Sequence, residues 1–174
     1  MAIIDGMLQE LEQEARTTRR VLERVPGDQL GWKPHKKART LGELALHVAG
    51  TPGAVATLAS QPEVQEPDFR DASPASASEL IPALDESVAT ANRLLAKMDD
   101  ATLNGMWRMK RNGQEVIAMP RVALLRSIML NHWYHHRGQL LVYLRLLNQS
   151  VPSVYGPTAD ENPFAIAAAV AAGQ

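Results

Sequence analysis

The sequence predicts an all-α fold: a four-helix bundle with a long crossover connection between helices two and three, and a small hairpin or extended loop before helix four. Three observations predict it. Apolar residues recur at three- and four-residue steps in four separate stretches. Capping signatures open two of those stretches, and Pro- or Gly-containing breaks separate them. The connection between the second and third stretches is too long for a tight turn, as a bundle with parallel neighbours requires. At 174 residues the chain is about the size of one domain, so residues 1–174 are read as a single helical unit.

The first helix runs from Ile3 to about Val25 on Ile4, Leu8, Leu11, Ala15, Thr18, Leu22 and Val25, and Pro26-Gly27-Asp28 stops it. After the connector LGWKPHKKAR, Thr40 and Glu43 form a capping box that opens a second helix reaching about Ala59. Residues 61–78 hold three prolines and no apolar period, and read as the crossover. Ser76 with Glu79 then caps a third helix, carried by Leu80, Leu84, Val88, Ala91, Leu95 and Met98 and ending near Asp99; Pro82 is tolerated in its first turn.

Asn112-Gly113, flanked by loosely alternating residues, suits the positive backbone angles of a tight hairpin turn. Pro120 opens a long fourth helix, whose inward stripe reads Val122, Leu125, Ile128, Met129, His132, His136, Leu140, Tyr143 and Leu147. A loop follows Asn148, and FAIAAAVAAG is expected to form a short terminal helix docked on the bundle.

Composition narrows the function classes. With 18 Lys and Arg against 19 Asp and Glu, no global field draws the chain to nucleic acid or an anionic membrane. There is no Cys, which removes disulfides, Cys-type zinc sites and catalysis by an internal thiol. No stretch approaches the ~20 apolar residues of a membrane span, and the start lacks the regions of a signal peptide. These features lead us to expect a soluble cytoplasmic protein.

Three of the five histidines fall within NHWYHHRGQL. At ~100° per residue His132 and His136 stand one turn apart and ~40° around the helix, so their imidazoles can converge on one ion. His135 points to the other side, nearer the rim. Buried imidazoles need partners, and a metal satisfies both rings at once. His47, at the border of the apolar side of helix two, supplies a third nitrogen. The competing reading is a helix-edge histidine bonded to a carbonyl; taken with the pair, the metal reading is the better one.

RTLGELALHVAG, which carries His47, and HWYHHRGQL resemble the paired motifs of the DinB/YfiT-like superfamily of four-helix-bundle candidate metalloenzymes. LGWKPHKKART is similar to that family's WxP segment, with Trp32 and Pro34 in place. The resemblance implies a divalent ion (zinc, nickel or iron) on His47, His132 and His136, and a homodimer. Some relatives are thiol-dependent S-transferases or isomerases, and no ligand role carries over to His135.

Three neutral imidazoles leave a divalent ion its full charge and an open position, as in catalytic zinc sites. Water and a thiol are both activated at such an ion, and with no Cys in the chain the thiol has to be a low-molecular-weight co-substrate. Around the site, Glu43 lies one turn before His47 but has its capping task. Gln139 and Arg137 flank the stripe and could orient an imidazole or an anionic substrate, a surface or dimer-contact role being as good a reading for Arg137. Trp32, Trp133, Tyr134 and Tyr155 either wall a pocket or fill core, and His35 reads as a solvated loop residue. The leading expectation is transfer of a small thiol to a small-molecule electrophile. Metal-dependent hydrolysis and a non-catalytic metal-binding stress-response bundle are the alternatives, and no catalytic residue is assigned.

Overall fold

A computed structural model of the chain describes residues 2–165. It is mostly helical, with a small three-stranded sheet that corrects the all-α expectation. Helix α1 spans Ile3–Leu22, α2 Leu41–Ala59 and α3 Leu80–Leu95. Helix α3 stops four residues short of the expected end near Asp99, and a short α4, Asp100–Asn104, follows, because the Asp99 side chain accepts the Thr102 N–H at 2.7 Å and starts a new turn. Two expected caps are present. Thr40 Oγ1 accepts the Glu43 N–H while the Glu43 carboxylate accepts the Thr40 N–H at 2.7 Å. The Glu79 carboxylate accepts the N–H groups of Ala75 and Ser76 ahead of α3.

The crossover carries strand β1, Glu63–Gln65, which lies parallel to β2, Met106–Arg111; β2 pairs antiparallel with β3, Gln114–Pro120. The β2–β3 connection is the expected hairpin, with φ of 52° at Asn112 and 79° at Gly113, both positive as a type I′ turn demands. Buried Trp107 on β2 donates its indole N–H to the Leu58 carbonyl, and Arg121 donates to the Ala59 and Thr102 carbonyls. The bonds to Leu58 and Ala59 satisfy carbonyls at the C-terminal end of α2, the first tying the sheet to it, while the bond to Thr102 ties Arg121 to α4.

The fourth helical stretch is not uniform. It comprises α5, Arg121–Leu124, a π-helical segment, Leu125–Asn131, and α6, His132–Leu146. The wider i→i+5 turns shift which side faces inward. Ile128, expected inside, is 41% exposed, while Leu124, Met129, Leu130, Trp133, Arg137, Leu140 and Leu144 are buried. The centre of the α6 core face is therefore Trp133–Arg137–Leu140–Leu144, and His132, His136 and Tyr143 lie along its flank. Helix α1 packs on α3 and α6, and α2 packs on α3, α6 and the π-helical segment. Among the described residues no helix is long and apolar enough to cross a membrane. The expected terminal helix lies, beyond a first turn at residues 163–165, outside the described residues.

Candidate metal centre

The register between α2 and α6 is set by a proline. Pro52, inside α2, has no N–H to give the carbonyl four residues earlier, that of Val48. The indole N–H of fully buried Trp133 supplies the missing bond at 2.7 Å. Val48 follows His47 and Trp133 follows His132, so this single bond brings the two histidine-bearing turns face to face. The adjoining His47 carbonyl accepts the Thr51 hydroxyl at 2.6 Å. Pro52 was the readable signal for this contact, since a proline inside a helical pattern leaves a carbonyl seeking an outside donor.

His47, His132 and His136 converge, each offering a ring nitrogen within 4.8 Å of the others. The His47 and His132 Nε2 atoms are 3.0 Å apart, close to the ~3.3 Å that tetrahedral angles and Zn–N distances of ~2.0–2.1 Å imply. The His132 and His136 ring centroids are 4.3 Å apart, as neighbours one helical turn apart should be. Gln139 fixes the third ring: its amide oxygen accepts from His136 Nδ1 at 2.8 Å, and its amide nitrogen donates to His135 Nε2 at 2.9 Å. That leaves His136 Nε2 without a proton and free to act as a ligand.

Burial, with the charge of Arg39 and the neighbouring rings, lowers the His47 pKa from 6.5 to about 4. Burial foremost also brings His136 to about 4, against the opposing Gln139 bond, and lowers His132. All three are thus neutral donors at pH 7, and a divalent ion fits the set they make. The same shifts set the acid sensitivity of the metal-free protein. Because the folded values lie below the unfolded one, the unfolded chain takes up protons first as pH falls. Stability is complete above pH ~6.5 and is lost as pH falls through about 4. Thermal melts of metal-free protein across this window should show a falling Tm, with a shallower fall in His47→Ala.

Other sequence-selected residues are placed differently. Glu43 is held at its cap. Trp32 meets the Tyr143 ring edge-on, with centroids 5.5 Å apart, and His135 is exposed, meeting the His136 ring edge-on with centroids 5.0 Å apart and accepting from the Gln139 amide. Arg137 is neither a surface arginine nor a partner of the imidazoles. It is 1% exposed and paired with Glu14 of α1 at 2.6 Å. Trp133 is core, and Tyr134 donates to Glu10 at 2.9 Å.

Fold and site together define a mostly helical protein with three neutral imidazoles gathered between two helices. The sequence model of the DinB family matches residues 3–163, and the chain belongs to that family. It is 30% identical over 159 residues to "Uncharacterized protein YrdA" of Bacillus subtilis strain 168, covering 91% of each chain. A crystal structure of a DinB-like protein from Bacillus cereus ATCC 10987 is similar with a TM-score of 0.69 and 25% identity, over 88% of this chain and 98% of that one. A second, the DinB-like protein YjoA of Bacillus subtilis, shares the fold with a TM-score of 0.66 at 17% identity, over 86% and 96% of the two chains.

Proposed function

We propose that this DinB-family chain is a divalent-metal-dependent enzyme that holds its ion on His47, His132 and His136 and transfers a low-molecular-weight thiol to a small electrophilic substrate. We place it in the cytoplasm, as a homodimer of one-domain four-helix bundles. The observation that carries the reading is the convergence of three neutral imidazole nitrogens within 4.8 Å. A zinc, nickel or iron ion there supplies Lewis acidity and lowers the pKa of a thiol or water. Among the described residues no Asp or Glu joins the cluster, which supports an open position rather than a closed structural site. The chain has no Cys of its own, which supports an external thiol.

The protein's share of the work is positioning. Trp133 and Pro52 hold the two helices in register, and Gln139 keeps the His136 Nε2 lone pair turned inward. Replacing Gln139 with Leu removes that restraint and should weaken zinc binding about 10- to 100-fold, measured by competition with a chelator. Water in the thiol's place would give hydrolysis at the same residues.

The deciding experiment is elemental analysis of natively purified protein beside His47→Ala, His132→Ala and His136→Ala. The wild type should carry a divalent ion and each variant should lose it. Added zinc or nickel at ~100 Kd should stabilise the wild type by ~2.7 kcal/mol and leave the variants unmoved. A wild type that neither retains metal nor responds to it overturns the reading. A screen of small thiols with electrophiles then separates transfer from hydrolysis and from a non-catalytic site.

A further inference from the structure

Tyr134, Gly138 and Leu141 of α6 face Pro152, Val154 and Tyr155 across a cavity of about 260 Å³, and Arg137 is the buried member of its lining. At ~100° per residue those three α6 positions stand ~120–180° round the helix from His132 and His136, so metal binding does not use them. The opposite wall is built in advance. The Val151 N–H donates to Asp160 at 2.8 Å, the Thr158 hydroxyl to the Val151 carbonyl at 2.8 Å, and the Ser153 hydroxyl to the Gly156 carbonyl at 2.7 Å. A Cβ added to Gly138 would meet nothing within 4 Å, so this turn of α6 leaves room where it lines the cavity.

Arg137 brings one unused donor to this space. Its Nη1 donates to the Glu14 carbonyl and the Thr18 hydroxyl, and its Nη2 donates to the Tyr155 hydroxyl beside the Glu14 carboxylate. Among the described residues the Nε–H makes no hydrogen bond, yet no fully enclosed side-chain nitrogen or oxygen is left without a partner. Nε is therefore accessible, and the open space that this 1% exposed side chain lines is the cavity. Glu14 balances the guanidinium charge, so the cavity offers a hydrogen-bond donor with no net charge. A carboxylate entering it would lose its water among Leu141, Pro152 and Val154 and meet Glu14, whereas a neutral acceptor escapes both costs. The Tyr134 and Tyr155 rings, 5.3 and 5.2 Å from the guanidinium carbon, suit a flat ring beside them. An apolar cavity of about 150 Å³ holds benzene, so this one takes a single ring with a short substituent.

We propose that this cavity is a second ligand site, separate from the metal centre, for a small neutral aryl carbonyl compound. The ring lies against Leu141, Val154 and the two tyrosines, and the carbonyl oxygen accepts the Arg137 Nε–H. Occupancy joins the 152–158 segment to α6. The site is independent of the metal reading, because no imidazole contributes to it.

The test titrates the natively purified, isotope-labelled full chain with acetophenone and with benzoate, following the Arg137 Nε–H signal by NMR. Acetophenone should bind with a Kd below ~1 mM and move that signal downfield, as a new hydrogen bond does. Benzoate should bind at least about tenfold more weakly. Gly138→Leu, whose side chain grows into the open space, should lose acetophenone binding while helical content and Tm do not fall. No saturable acetophenone binding, the result for a cavity that holds only water, overturns the proposal. Binding that survives Gly138→Leu, or that leaves the Nε–H signal unmoved, overturns it as well, and benzoate bound as tightly as acetophenone overturns the neutral-carbonyl assignment. Where Gly138→Leu does not fold, the wild-type Nε–H shift alone decides.

Discussion

An Arg137→Met protein should unfold about 3–5 kcal/mol more readily than the wild type, seen as a lower urea midpoint at unchanged slope. The guanidinium is 1% exposed and Glu14 7% exposed, so neither charge can fall back on water. Arg137 bonds the Glu14 carboxylate and carbonyl, the Thr18 hydroxyl at 3.0 Å and the Tyr155 hydroxyl at 2.6 Å, and Tyr155 in turn donates to Glu14 at 3.0 Å. Methionine matches the length of the arginine stem but leaves a buried carboxylate with one remaining side-chain donor. The loss comes mainly from stranding Glu14, not from the net worth of the pair. The double replacement Glu14→Leu with Arg137→Met should therefore recover more than half of the lost stability. A double variant as unstable as the single one would show that the guanidinium itself matters, through Thr18 and Tyr155.

This network also marks a limit of local reading. Arg137 stands next to His136 in sequence, and spacing alone groups it with the site. Its partner lies on α1, 123 residues earlier, and no local pattern announces a carboxylate waiting there. The three-residue strand β1 was hidden for a similar reason. Glu63–Gln65 has no periodicity of its own and exists as a strand because β2 pairs with it. The π-helical segment escaped because the 3.6-residue period assumes uniform turns, and one change of pitch moved Ile128 outward and Trp133 inward.

What was legible was local. The caps at Thr40 and Glu79, the Asn112-Gly113 turn and the bounds of α2 are written within four or five residues of where they act. The closeness of His132 to His136 follows from their i, i+4 spacing. That His47 meets them depends on Val48 and Trp133, a contact that Pro52 makes necessary but cannot address to a particular partner.

Gly53→Val should cost about 3 kcal/mol, and the argument turns on where α2 and α3 touch. The Gly53 N–H donates to the Ser87 hydroxyl at 2.8 Å, and a Cβ on Gly53 would stand 2.8 Å from both the Cα and the carbonyl oxygen of Ser87. Backbone cannot rotate aside as a side chain can, so the helices must separate along the α2–α3 interface. Helix propensity pulls the other way, favouring Ala over Gly by about 1 kcal/mol. Gly50, three residues earlier in the same helix, has nothing within 4 Å of its would-be Cβ. Gly50→Ala should accordingly gain up to ~1 kcal/mol, while Gly53→Ala should lose stability despite the same gain in propensity. Urea midpoints of the two alanine variants, taken side by side, decide the matter by sign. If Gly53→Ala stabilised the protein as Gly50→Ala does, the helices would have room to part, and the register that Trp133 sets would not be braced from the α3 side.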